Sequence, residues 1–216
     1  MANITASAVN ELRQRTGVGM MDCKKALVEC DGDMDKAIDY LREKGQKLAS
    51  KRADRDASEG CVLSATTADK TFGAVLMVNC ETDFVAKNED FINFTRKILD
   101  AAIAAKAKTA GEVNALVIDG STVENLIIDQ IAKIGEKIEI SHYESIEAPV
   151  VYAYIHPGNR LATIVSFNKT GFDVQGHDVA MQIAAMAPLA LNKDLVPADV
   201  IEREMEVYRG QIREEG

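Results

Sequence analysis

Apolar positions recur along this chain at two periods, helical at both ends and strand-like between them. In residues 1–45 the helical period dominates. Thr5 can cap a first helix that presents Ala8, Val9 and Leu12 on one side and ends at Thr16-Gly17-Val18-Gly19, where two glycines suit a sharp helix-to-helix turn. A second helix is predicted from Met21 or Asp22 to Cys30, with Cys23, Ala26 and Leu27 inward. Asp31-Gly32-Asp33 breaks it, and Asp33 can cap a third whose stripe is Ala37, Ile38 and Leu41. From Lys44 to Asp56 the sequence is polar, tolerant of helix and free of proline, and it reads as a solvated helical linker.

At Gly60 the period changes to that of strands. Residues 61–66 and 72–79 alternate or run apolar on either side of a turn at Ala68-Asp69-Lys70. A helix follows from about Asn88 to Lys106, with Asn88 as its cap and Phe91, Phe94, Ile98 and Leu99 on its inner face. A second begins at the capping box Ser121-Thr122-Val123-Glu124, carries Val123, Leu126, Ile127, Ile131 and Ile134, and ends at Gly135. Residues 137–145 read as a strand with Ile138, Ile140 and His142 on one face. The hairpin pattern then recurs about ninety residues on. Residues 150–155 and 161–168 flank the turn His156-Pro157-Gly158-Asn159, and a helix follows from about Gly176 to Ala187. The second copy lacks the third strand, which would leave an open sheet edge; the expectation is a truncated chain, or a subdomain completed by a partner. After Pro197 one charged amphipathic helix runs out, with Val200, Ile201, Met205, Tyr208 and Ile212.

Composition narrows the class. With 216 residues, 47% apolar and 27% charged, the chain can bury a core in one large domain or two to three small ones. No run approaches the length of a membrane span, and the first residues do not resemble a secretion signal, so the expected compartment is the cytoplasm. Four well-separated cysteines and three histidines without ligand spacing favour free thiols over disulfides or a structural metal. Net charge is -9: residues 1–56 carry eleven Lys/Arg against ten Asp/Glu, the remainder fourteen against twenty-four. Most of the chain would repel a phosphate backbone, which argues against direct nucleic-acid binding. No G-x-S-x-G, H-E-x-x-H or phosphate-binding glycine loop is present, so the pattern favours a protein without bond-making chemistry of its own.

The most informative segment is Asn79-Cys80-Glu81-Thr82-Asp83-Phe84-Val85-Ala86-Lys87-Asn88. It lies between an apolar strand and a helix, so Thr82, Asp83 and Phe84 occupy a tight connection mounted on rigid elements. Two readings stay open on spacing alone. Asp83 makes a turn and Phe84 fills the local core, the commoner fate of an aromatic near a helix start, or ring and carboxylate project into a partner.

Thr16-Gly17-Val18-Gly19-Met20-Met21-Asp22-Cys23-Lys24-Lys25-Ala26-Leu27 and Asn79-Cys80-Glu81-Thr82-Asp83-Phe84-Val85-Ala86 resemble the two signatures of the bacterial translation elongation factor Ts family. Ile131-Ala132-Lys133-Ile134-Gly135-Glu136 and the 156–160 turn extend the resemblance over the whole chain. It implies an α+β fold: a three-helix ubiquitin-associated-like domain (1–45), a helical linker (46–59), a first core subdomain (60–146), a related, partial second one (147–190), and an outgoing helix (191–216). It also implies a guanine-nucleotide exchange factor for elongation factor Tu, bound in its GDP-loaded and nucleotide-free forms. Thr82, Asp83, Phe84 and Val85 would disturb the partner's magnesium site; Met20, Met21, Ile134, Gly135 and His156 would bind the partner. No cofactor or metal of its own, no nucleic acid and no membrane is implied. The outgoing helix has no return arm, which leaves dimerisation open. The alternative is a binding adaptor acting through its ubiquitin-associated-like domain.

Overall fold

The computed structural model describes residues 4–215; residues 1–3 and 216, at the ends of the first and last expected units, lie outside them. Three helices come first, α1 (Ala6–Thr16), α2 (Met20–Glu29) and α3 (Met34–Arg52). Then follow β1 (Glu59–Thr66), β2 (Phe72–Cys80), α4 (Asp83–Ala86), α5 (Glu89–Ala105), α6 (Ala110–Ala115), β3 (Val117–Ile118), β4 (Ser121–Thr122), α7 (Val123–Ile134) and β5 (Glu139–Glu147). The hairpin β6 (Val150–Ile155) and β7 (Ala162–Phe167), then α8 (Asp173–Met186) and α9 (Ala198–Glu215), complete an α+β fold.

The caps expected at the N-terminal end form. The Thr5 hydroxyl accepts from the Ala8 N–H and the Asp33 carboxylate from the Lys36 N–H. Val9, Leu12, Cys23, Ala26, Leu27, Ala37 and Leu41 close a small core between the three helices. α2 begins at Met20, directly after Gly19 and slightly before the expected start. α3 runs on as one helix to Arg52, into the stretch read as a helical linker. Its second half is docked rather than solvated. A Cβ on Gly45 would lie 3.0 Å from the Ala132 Cβ and 3.2 Å from the Ile128 carbonyl oxygen, so α3 and α7 approach closely there. Leu48 and Ala49 continue that contact into the main core. The apolar pattern hides this face because its closest point is a glycine, which contributes no side chain to read.

The main sheet is antiparallel in the order β1-β2-β5. Cys61, Leu63, Phe72, Ala74, Leu76 and Val78 face the core, where Phe91, Ile98 and Leu99 of α5 and Val123, Ile127 and Ile131 of α7 cover them. The second hairpin joins β1 through bonds that include the Ser64 hydroxyl donating to the Tyr154 carbonyl at 3.0 Å, the Val62 N–H donating to the Asn159 carbonyl at 2.7 Å and the Arg160 guanidinium donating to Glu59 at 3.2 Å.

Three local readings are corrected. The register slips between Met77 and Val78, so that Met77 faces His142 while Val78 faces Ile140 and Ser141 is the extra residue. Beyond this bulge the alternation reverses: His142 is exposed, and Tyr143 turns inward with its hydroxyl donating to the Ala107 carbonyl at 2.7 Å. The cap of α7 is Thr122, which accepts from the Asn125 N–H; Ser121 is held in β4 opposite Ile118, one residue too early to cap. Finally, α8 begins at Asp173, three residues before Gly176, and α6 with the β3–β4 ladder occupies a stretch with no predicted element. Two- and six-residue elements carry too few periods to stand out in a sequence.

The Gly45 contact yields a graded prediction. Gly45→Ala gains helix propensity against a tight contact and should leave the urea midpoint nearly unchanged. Gly45→Leu has no room against Ala132 and Ile128 and should cost about 1–3 kcal/mol in the same titration.

Candidate functional site

β2 carries the chain to Cys80, after which α4 makes a single turn before α5 begins. Thr82 is extended, with φ -124° and ψ 151°, and its hydroxyl oxygen accepts the Val85 N–H at 3.5 Å, capping that turn. The Ala86 and Lys87 N–H groups donate to the carbonyls of Thr82 and Asp83. Asn88 caps α5 by accepting the Asp90 N–H at 2.8 Å. Two caps six residues apart therefore fix both ends of the connection.

This geometry sends the side chains of α4 in different directions. Ala86 is buried and Val85 packs against the core, whereas Phe84 is 84% exposed. The reading in which Phe84 fills the local core is overturned: neighbours one and two positions on already occupy the inward side of a four-residue turn. Asp83 accepts from the Lys87 ammonium at 2.7 Å one turn later, and that partner holds its carboxyl below the ordinary value, so it is ionised at neutral pH.

Two carboxylates lock the connection from outside. The Glu81 and Thr82 N–H groups donate to Glu136 Oε2 at 3.1 and 3.0 Å, and the Thr82 hydroxyl donates to Glu136 Oε1 at 2.7 Å. In return the Lys137 N–H donates to Glu81 Oε1 at 2.6 Å. Arg52, the last residue of α3, donates to the same Glu81 oxygen at 2.6 Å, with Arg55 at 3.6 Å from the other. The Lys137 N–H, and then the Arg52 and Arg55 guanidiniums, hold Glu81 below its usual carboxylate range. Glu136 follows Gly135, which ends α7 in the left-handed region at φ 83° and so turns the chain toward the loop.

Phe84 borders a groove of about 300 Å³ whose other walls include Val85, Phe91, Gln130, Lys133 and Ile134. The Lys133 stem also lies against the 16–19 turn, within 3.0 Å of where a Cβ on Gly17 would stand. Met20 and Met21 follow that turn directly, and both are exposed. Thus Met20, Met21, Ile134, Gly135 and the 82–85 segment are grouped around α7's C-terminal end. His156 is not part of this group. It sits in the turn of the second hairpin, its Nδ1 2.8 Å from the Tyr154 hydroxyl, beside a separate depression shared with Leu161, Asp178 and Met181.

Comparison with known proteins relates most of the chain to one family. A family profile described as Elongation factor TS matches residues 81–216. Elongation factor Ts of Christiangramia forsetii is 47% identical over 218 residues, spanning 100% of this chain and 79% of that protein. Elongation factor Ts of Amoebophilus asiaticus is 50% identical over 216 residues, spanning 99% and 78%. The chain belongs to the elongation factor Ts family. It is therefore a member of a family of translation elongation factors, and among its described residues no helix is long and apolar enough to cross a membrane.

In this elongation factor Ts family member, sequence reasoning missed the supports rather than the presented residues. Arg52 looked like part of a solvated linker, and Glu81 and Glu136 stood inside recognised motifs without a role. Their partners lie up to fifty-six residues away in sequence, a separation no local pattern reveals. Glu81 also implies a pH dependence. Its carboxyl is depressed on folding, so its contribution is fully present above about pH 4.5 and is lost as pH falls through the lower folded value. Glu81→Gln should lower stability by about 1–3 kcal/mol at neutral pH, and urea titrations of the two chains should converge as pH falls below about 4.5.

Proposed function

We propose that this chain is the guanine-nucleotide exchange factor of elongation factor Tu, and that it acts by loosening the magnesium and phosphate site of that GTPase. The observation that carries the reading is Phe84: a large apolar ring, 84% exposed, at the tip of a one-turn helix pinned at both ends. An exposed ring on a mobile loop would fold back onto apolar neighbours; a pinned one is available to a partner at little ordering cost.

No bond-making is needed. An exchange factor binds the nucleotide-free GTPase better than the loaded one, and nucleotide weakens the factor by the same factor in return. Moving such a balance from about 1:99 to about 99:1 requires roughly 5.5 kcal/mol of differential affinity. Burying one phenylalanine supplies roughly 1.5–3 kcal/mol, so Phe84 acts as a wedge and a wider surface shares the work. Asp83, ionised and beside Phe84, draws on the groups that position the magnesium shell without becoming a ligand. Thr82 and Val85 set the turn. Met20 and Met21, at the start of α2, and Ile134 with Gly135 extend the docking surface on the same side, and His156 touches a different part of the partner. In this reading α1–α3 form a ubiquitin-associated-like domain, the two hairpin-plus-helix units are related subdomains, and the protein works in the cytoplasm.

A second reading, an adaptor that binds through α1–α3, is favoured by the exposure of Met20 and Met21. It predicts that Asp83 and Phe84 are dispensable. Release of fluorescent GDP from elongation factor Tu at saturating factor separates the two: Phe84→Ala should slow release by about tenfold or more, in keeping with the loss of a buried ring, while affinity for nucleotide-free elongation factor Tu falls less. Wild-type release from the Phe84→Ala chain would rule out the wedge.

A further inference from the structure

We propose that Glu136 is a positioning residue for exchange, holding the Thr82–Phe84 backbone in the conformation that keeps the Phe84 ring in solvent. The inference rests on Phe84 being the group that enters the partner. A four-residue helix does not sustain itself, because one turn fixes several dihedrals for one hydrogen bond. α4 satisfies Val85 and Ala86 from within, but the N–H groups just before it, on Glu81 and Thr82, point away from the turn and need an external acceptor.

Glu136 supplies both with one carboxylate oxygen and takes the Thr82 hydroxyl on the other. That third bond orients the hydroxyl, so its free lone pair faces the Val85 N–H; the carboxylate thus also sets the cap. All three bonds are charge-assisted and lie in a part-buried place, where they are stronger than neutral ones. The groove beside Phe84, walled by Val85, Phe91 and Ile134, is the apolar surface onto which a released ring would collapse. Glu136, just past the Gly135 stop of α7, holds the start of the same connection at 81 and 82 and opposes that collapse. Glu81 completes the latch by holding the Lys137 N–H, which fixes the backbone on which Glu136 is mounted.

The test compares the wild-type chain with Glu136→Ala, Glu136→Gln and Phe84→Ala. Amide hydrogen exchange of the free protein is followed at Thr82, with the Leu76 amide as the reference for global opening. GDP release from elongation factor Tu is measured against factor concentration. In Glu136→Ala, Thr82 should exchange about tenfold faster relative to Leu76, the loss expected for hydrogen bonds to a charged group. GDP release at saturation should slow by a similar factor, with a smaller change in the half-saturating concentration. Glu136→Gln keeps a carbonyl oxygen for the two N–H groups and should lie between wild type and Glu136→Ala in both readouts. Wild-type exchange at Thr82 in both Glu136 variants would overturn the latch. Faster exchange at Thr82 with unchanged GDP release would overturn the positioning role if Phe84→Ala releases slowly. If Phe84→Ala also releases at the wild-type rate, the wedge reading fails while the latch stands.

Discussion

The arrangement depends on a reciprocal exchange of backbone N–H groups between two acidic side chains. Glu136 accepts from the backbone at 81 and 82, and Glu81 accepts from the backbone at 137. Each carboxylate fixes the segment that carries the other. A hydrophobic ring gains by leaving water, so a phenylalanine that stays 84% exposed needs a backbone stiff enough to withhold it from its own core. The latch provides that stiffness where helix propensity cannot, because α4 is only one turn long.

The latch also joins the two halves of the molecule. Arg52 brings the end of α3 onto Glu81, and the Gly45 contact brings the middle of α3 onto Ile128 and Ala132 of α7, the helix that Glu136 follows. The N-terminal helices are therefore held to the rest of the chain by the apolar approach at Gly45 and by the ion pairs of Arg52 with Glu81 and of Arg42 with Asp129. The Lys133 stem lies both against the 16–19 turn, which Met20 and Met21 follow, and in the wall of the groove beside Phe84. In the exchange role proposed above, a surface that distinguishes a loaded from an empty GTPase benefits from this rigidity, since only contacts that differ between the two states shift the balance.

The strongly periodic elements were legible in advance. The α5 and α7 stripes, the Thr5, Asp33 and Asn88 caps, the Gly135 stop and both hairpins follow from apolar spacing and turn chemistry, which act within a few residues. The errors have two causes. The bulge at Ser141 that exposes His142 and buries Tyr143 and the docking of α3 at Gly45 each depend on a neighbour distant in sequence, while the one-residue shift of the α7 cap comes from a two-residue ladder too short to show a period. At the candidate site the motif residues were found by resemblance, while their direction was not: spacing favoured the core for Phe84, and the structure places it in solvent.

By itself the sequence determined which stretches become helices and strands, the excess of acid over base, the absence of a familiar catalytic constellation, and the kinship with elongation factor Ts. These are properties of local periodicity, of residue counts and of ordered motifs. Only the tertiary structure decided that Phe84 faces water, that Glu81 and Glu136 hold each other's backbone, and that the polar end of α3 is a docked helix. The physical reason is that exposure and hydrogen-bond partnership are set by which segments meet in space, and segments half a hundred residues apart leave no mark on each other's local pattern.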